Sequence, residues 1–222
     1  MGEVELYTSD HKLVIRGVVF FYGDAADQAL AIQTADEITL SWNEPQSMVR
    51  IRKEWFQVRF DIEGIYTPDL APATVWHNTC PRYNYFRIEE YSRHDISFVD
   101  GLGSNTGYFK RANLQTLSTT GAHEYGHTLG LDHPKVLDIR GKGQPGIMYP
   151  RGTLCDPAFQ YDPDAPAGAK GGTLNPFTRK VLDSDIQALK LSKLSFDKNN
   201  IAVLGEYSSL YHQKHIEKTH SF

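Results

Sequence analysis

The chain has 222 residues, 40% of them hydrophobic and 23% charged, with a formal net charge of −4. That length can bury a sizeable core without a metal or disulfide staple, as one domain or two closely packed lobes, and the mildly acidic balance gives no reason to expect nucleic acid or an anionic membrane as a partner. No apolar run approaches the roughly 18 to 20 residues that would cross a bilayer.

The opening MGEVELYTSDHKLVIRG is acidic and polar. It lacks the basic, apolar and small-residue regions of a secretory signal. The expectation is a secreted or exported protein whose signal is not in this chain, with a cytoplasmic protein as the alternative. Met1 and Gly2 are compatible with a cloning remnant.

Residues 12–23, KLVIRGVVFFYG, form a continuous run rich in β-branched and aromatic residues, closed by glycine. This predicts a buried central strand. In 24–45, Ala26, Ala29, Leu30, Ile32 and Ala35 recur at a helical period, with Asp24 as N-cap and Pro45 beyond the end. Residues 47–66 alternate Val49, Ile51, Val58, Phe60 and Ile62 against charged neighbours, as a strand pair or one long bent strand with a wet face. Shorter strands are expected at 84–91, 95–101 and 106–112. Strand, helix and further strands imply an α/β (α+β) fold class.

After residue 134, glycine and proline crowd the stretch 141–176, which reads as loop. One helix is expected within 175–194, with Asp183 or Ser184 as a cap. The tail from about 205 is polar and expected to be mobile. Cys80 and Cys155 both sit among prolines and polar residues. They predict a disulfide in protein made under oxidising conditions, with two free thiols as the alternative.

The informative stretch is 123–133, HEYGHTLGLDH. On a helix, residues four apart differ by about 40° and share a face, so His123 and His127 present two imidazoles to one ion. A continuous helix would carry His133 about 15 Å beyond His123, out of reach. Gly130 supplies the break, because glycine takes left-handed backbone angles cheaply and is common just past helix ends. His133 can then swing back as a third ligand. Glu124 is offset about 100° from His123, within reach of a water on the metal. Three nitrogen ligands plus water is the donor set of catalytic zinc.

This pattern resembles the long zinc-binding motif of the metzincin metallopeptidases. The resemblance implies a downstream methionine turn, and PGIMYP at 145–150 supplies Met148 as a hydrophobic base beneath the metal. The wording of the motif and of LDSDIQALKLS is most similar to the matrixin branch. By the same resemblance, Tyr149 and Pro150 would line the substrate pocket. No tyrosine stands two residues after Met148, so the fifth ligand of the astacin and serralysin branches has no counterpart. Pro134 and a long 135–146 segment, an insertion of unassigned role, depart from the matrixin pattern.

The implied architecture is a single catalytic domain with an N-terminal lobe over 1–133 and a C-terminal lobe over 134–222. The first would hold a twisted mixed sheet and two helices, the second an irregular chain, Met148 and a last helix. The implied function is a zinc endopeptidase, expected to be a monomer, that acts on peptides or proteins with Glu124 as general base. A zinc-holding module without turnover and an exported protease effector are the alternatives. Weaker signals are a calcium loop at Asp100, Ser104 and Asn105, set against a plain turn, and a second metal at His77, His94 and Asp95. His212, His215 and His220 belong to the expected mobile tail.

Overall fold

The computed structural model of the protein describes residues 1–93, 95–115 and 118–216. In chain order the elements are β1 (Gly2–Tyr7), β2 (Lys12–Tyr22), α1 (Gln28–Asn43), β3 (Met48–Ile51), β4 (Glu54–Tyr66) and α2 (Pro72–Trp76). There follow β5 (Tyr83–Glu89), β6 (Phe98–Val99), β7 (Thr106–Lys110), α3 (Thr120–Thr128), α4 (Asp183–Ala188) and β8 (Ile201–Leu204). No helix is long and apolar enough to cross a membrane among the described residues.

The fold is mixed α+β around one curled sheet. β2 is its centre, as its apolar run requires. One edge of β2 pairs in parallel with β4 along Lys12–Phe21. Its other edge pairs first with antiparallel β1, over Lys12–Arg16, and then with parallel β5, over Val18–Tyr22. β7 continues in parallel beyond β5, and β6 closes that side antiparallel to β7. The 47–66 segment is a hairpin: β3 pairs with β4, and Arg52 and Lys53 take positive φ in the turn, which matches the twist of the strands it joins.

α1 starts three residues later than the sequence predicts. Asp27, not Asp24, accepts the capping bond from Leu30 N at 2.8 Å, while Asp24 pairs with Lys214. The helix buries Leu30, Ala31, Thr34, Ala35, Ile38 and Trp42. Its last residue, Asn43, bonds both the N–H and the carbonyl of Phe60 in β4, at 2.9 and 2.8 Å. Trp42 Nε1 donates to Ala122 O at 3.1 Å and so ties α1 to α3. α1, positioned by the sheet, therefore holds the histidine helix.

Several expectations are corrected. The tail expected to be mobile from about 205 is laid against the sheet as far as the described residues go. β8 pairs with β1 just before it. Tyr207 Oη then donates to Thr79 O at 2.8 Å, Tyr211 stacks on Tyr22, and His215 stacks on Tyr108 at 3.9 Å between centroids. The aromatic residues of a polar-looking tail thus find apolar seats on the sheet.

The long helix expected within 175–194 is shorter. A 3-10 turn at Pro176–Thr178, the six-residue α4 and a second 3-10 turn at Leu191–Lys193 take its place, with Lys190 left-handed between the last two. Neither Asp183 nor Ser184 caps α4. Asp185 accepts from Leu182 N at 2.8 Å.

The cysteines do not pair. Cys155 is buried with Ile139 and Leu174 in a small core of the lower lobe, and Cys80 stands half-buried before β5; both are free. The segment 135–146 is folded onto that same core. Ile139 N donates to Leu154 O at 2.8 Å, and Leu154 N to Leu137 O at 2.7 Å.

Candidate metal centre

α3 runs from Thr120 to Thr128 and stops as the spacing requires. Gly130 has φ +93°, Leu131 N bonds back to Gly126 O at 3.0 Å, and Gly130 N to His127 O at 3.0 Å. This pair of bonds is a Schellman turn, which satisfies the last carbonyls and reverses the chain. His133 thereby returns to the helix: its Nε2 lies 3.1 Å from His123 Nε2 and 3.2 Å from His127 Nε2. The three donor atoms all lie within 4.8 Å of one another and could hold a metal ion.

Proton placement supports that use. His123 Nδ1 lies 2.7 Å from Ile147 O, and His127 Nδ1 lies 2.7 Å from Leu131 O. A carbonyl only accepts, so each Nδ1 carries the proton and each Nε2 is a bare lone pair. Arg179 Nη1 also stands 3.0 Å from His123 Nδ1. A guanidinium cannot accept, and the shorter carbonyl contact sets the tautomer, so this is a close approach of charge. Lone pairs converging at this spacing repel one another unless a cation lies between them. Nitrogens at roughly 2.0–2.1 Å from zinc in a tetrahedral site lie a little over 3 Å apart, so the donor set fits zinc.

Burial favours the neutral rings that ligation needs. Desolvation holds His123 well below the ordinary histidine range, with Arg179 adding to the effect, and desolvation also lowers His127 and His133. Glu124 is buried beside His123. Desolvation pushes its carboxyl up to about 8, against the opposing pull of Arg179 and of the Val99 N–H on β6.

Met148 lies under the helix. A Cβ built on Gly126 would run into its Sδ, and would also stand 3.2 Å from Trp42 Cζ2. The loop that carries Met148 is tied to α4, because Asp185 Oδ2 accepts from both Leu182 N and Ile147 N, the latter at 3.4 Å. Pro150 lines a cavity of about 350 Å³ together with His123, Glu124 and His133. Tyr149 lines a separate one of about 460 Å³ with Met148 and Ile139.

Sequence reasoning missed Arg179. It is 7% exposed and lines the cavity that holds Glu124. Its Nε and Nη2 donate to Thr119 Oγ1 at 3.1 and 2.8 Å, and its Nη1 to Tyr149 O at 3.0 Å. Burial brings its pKa down to about 10. Nothing in its surroundings, NPFTRK, signals a role.

Among the described residues, those of the weaker metal candidates have protein partners. Asp100 faces His212 Nε2 at 2.9 Å and accepts from Thr106 Oγ1, while Asn105 Oδ1 accepts from Ser208 N at 3.0 Å and Ser104 Oγ bonds within the loop. Oxygens engaged by protein donors make a poor calcium cage. Asp95 pairs with Lys110, and His77 caps α2. His94 and His220 lie outside the described residues.

No protein-family model matches the chain, and no curated protein matches it. Among solved structures, a zinc-dependent peptidase from Methanocorpusculum labreanum (strain Z) aligns with a TM-score of 0.32 at 14% identity, over 62% of this chain and 90% of that one.

Proposed function

We propose that the chain is a zinc-dependent endopeptidase of the metzincin type, with His123, His127 and His133 holding the metal and Glu124 acting as general base. The observation that carries this reading is the convergence of three Nε2 atoms, two of them held unprotonated by carbonyls at Nδ1, beside the buried carboxyl of Glu124 on the wall of a cavity. The matrixin branch rests on the wording of the motif alone.

When bound, zinc would acidify water and polarise a carbonyl. The chain's own residues do the rest. Glu124, one position along the helix from His123, takes the proton of the attacking water and passes it to the leaving amine. Burial raises its carboxyl in the metal-free protein, and a bound cation would draw it back towards the range in which it can take up a proton near neutrality. Ile147 O and Leu131 O fix the ligand tautomers, and Met148 fills the space beneath the helix as a packing residue. β6 is a sheet edge close to Glu124, so an extended peptide can add to it through main-chain bonds. Tyr149 and Pro150 would then wall the pockets beyond the cut.

Zinc content and cleavage of a denatured protein substrate, measured on parent and Glu124→Gln, test the reading. The variant keeps the shape and should hold zinc as the parent does, while losing roughly 10²–10⁴-fold in rate or more. A parent that holds zinc but cleaves nothing across a broad peptide library would favour the zinc-holding module without turnover. A variant that cleaves at the parental rate would remove Glu124 from the chemistry.

A further inference from the structure

We propose that Arg179 makes the cavity beside the three histidines a receptor for a carboxylate of the substrate, either an Asp or Glu side chain next to the scissile bond or a free C-terminal carboxylate. The proposal rests on the peptidase reading and specifies the substrate class of that same site.

Arg179 is a buried cation held by neutral acceptors: Thr119 Oγ1, Tyr149 O and, at 3.3 Å, Pro176 O. Among the described residues it forms no ion pair. The opposite charge it feels, Glu124, lies beyond ion-pair distance, and a buried charge without a contacting counter-ion is costly to keep, so an anion that arrives later would complete its environment. Three of its five N–H groups are engaged by these oxygens, Nη1 also stands 3.0 Å from His123 Nδ1, and one N–H on Nη2 is not engaged. That leaves part of the planar fork that binds carboxylates.

Its position is imposed from outside the helix. Lys180 N donates to Pro145 O at 3.1 Å, and Gln144 Nε2 to Thr178 O at 2.6 Å. These bonds clamp 178–180 along the segment leading to Met148 and hold the guanidinium between that segment and α3. The cavity it lines also contains His123, Glu124 and His133, so an anion bound there lies next to the reacting bond. Arg151 lines the same cavity from an exposed position and adds a second positive charge. The cavity therefore has two cations against the single carboxylate of Glu124. At about 350 Å³ it has room for a side chain of Asp or Glu size.

The test compares zinc-loaded parent on matched peptides that differ by Asp against Asn, or Glu against Gln, at each position flanking the cut. Each peptide is made with a free and with an amidated C-terminus. We expect kcat/KM to favour one acidic peptide at least tenfold. A preference that survives amidation identifies a side-chain carboxylate, and one that amidation abolishes identifies the C-terminal group. Arg179→Lys should retain part of the preference and Arg179→Gln should abolish it. Equal kcat/KM for acid and amide forms at every position in the parent would overturn the proposal, whether or not the variants fold.

A binding arm separates this proposal from the peptidase reading. Calorimetry of Glu124→Gln with the same acidic peptides and their amide analogues should show at least tenfold tighter binding of the acidic form. Such binding in a protein whose parent cleaves nothing would sink the peptidase reading and leave the carboxylate receptor standing. Equal binding of acid and amide would sink the receptor.

Discussion

Met148 rests its sulfur against Gly126, in the space that a Cβ on that helical position would occupy. Gly126 lies three residues after His123 and one before His127 on α3, so a glycine and a thioether pack beneath the segment that carries both histidines. Gly126→Ala must push Met148, and overpacking of this kind typically costs 1–3 kcal/mol. We expect a loss of about that size by urea titration, together with weaker zinc retention against a chelator. Met148→Leu keeps the volume and should cost less than about 1.5 kcal/mol with zinc retained. Loss of zinc in the leucine variant would show that the sulfur does more than pack.

The turn at Gly130 gives a cleaner separation of strain from contact. A Cβ there would meet nothing within 4 Å, but the backbone has φ +93°. Gly130→Ala should therefore cost about 1–2 kcal/mol through backbone strain alone. Because the same turn returns His133 to the helix, zinc affinity should fall by more than the stability does. Unchanged zinc affinity would mean that His133 is positioned by something other than this turn.

Tyr125 is fully buried, and its hydroxyl has no hydrogen-bond partner among the described residues. Leaving a buried hydroxyl unsatisfied costs roughly 1–3 kcal/mol. Tyr125→Phe should raise the urea midpoint, by about 1 kcal/mol in stability. A destabilised variant would reveal a partner for the hydroxyl.

The metal-free protein should carry two opposing pH dependences. Burial raises Glu124 to about 8 from its ordinary value of 4.5. The folded state then holds a proton that the unfolded chain releases, so stability falls as pH rises from 4.5 towards 8. The three histidines are lowered from 6.5. There the unfolded chain takes up protons first, so stability falls as pH drops below 6.5. Glu124→Gln removes only the first effect. Its stability relative to parent should grow between pH 5 and 8 and level off above, reaching about 2–4 kcal/mol. A difference that shrinks with rising pH would contradict the burial of this carboxyl as a neutral group. With zinc present, loss of metal should instead follow falling pH, because ligation needs neutral imidazoles.

What the sequence determined by itself is local. The offset of His123, Glu124 and His127 follows from helical geometry, and the return of His133 follows from one glycine; both are decided within eleven residues. The centre of the sheet was legible for the same reason, since the run from Lys12 to Tyr22 needs two strand neighbours to cover it. Tertiary structure alone decided the rest. Arg179 reaches His123 across 56 positions, and no period or motif encodes that approach. The polar tail became ordered because Tyr211 and His215 met aromatic partners on strands more than a hundred residues away. A helix start near Asp183 was legible, but the bond of Asp185 to Ile147 beneath the histidines was not. Backbone preferences act over three to five residues, whereas these contacts depend on how the whole core packs.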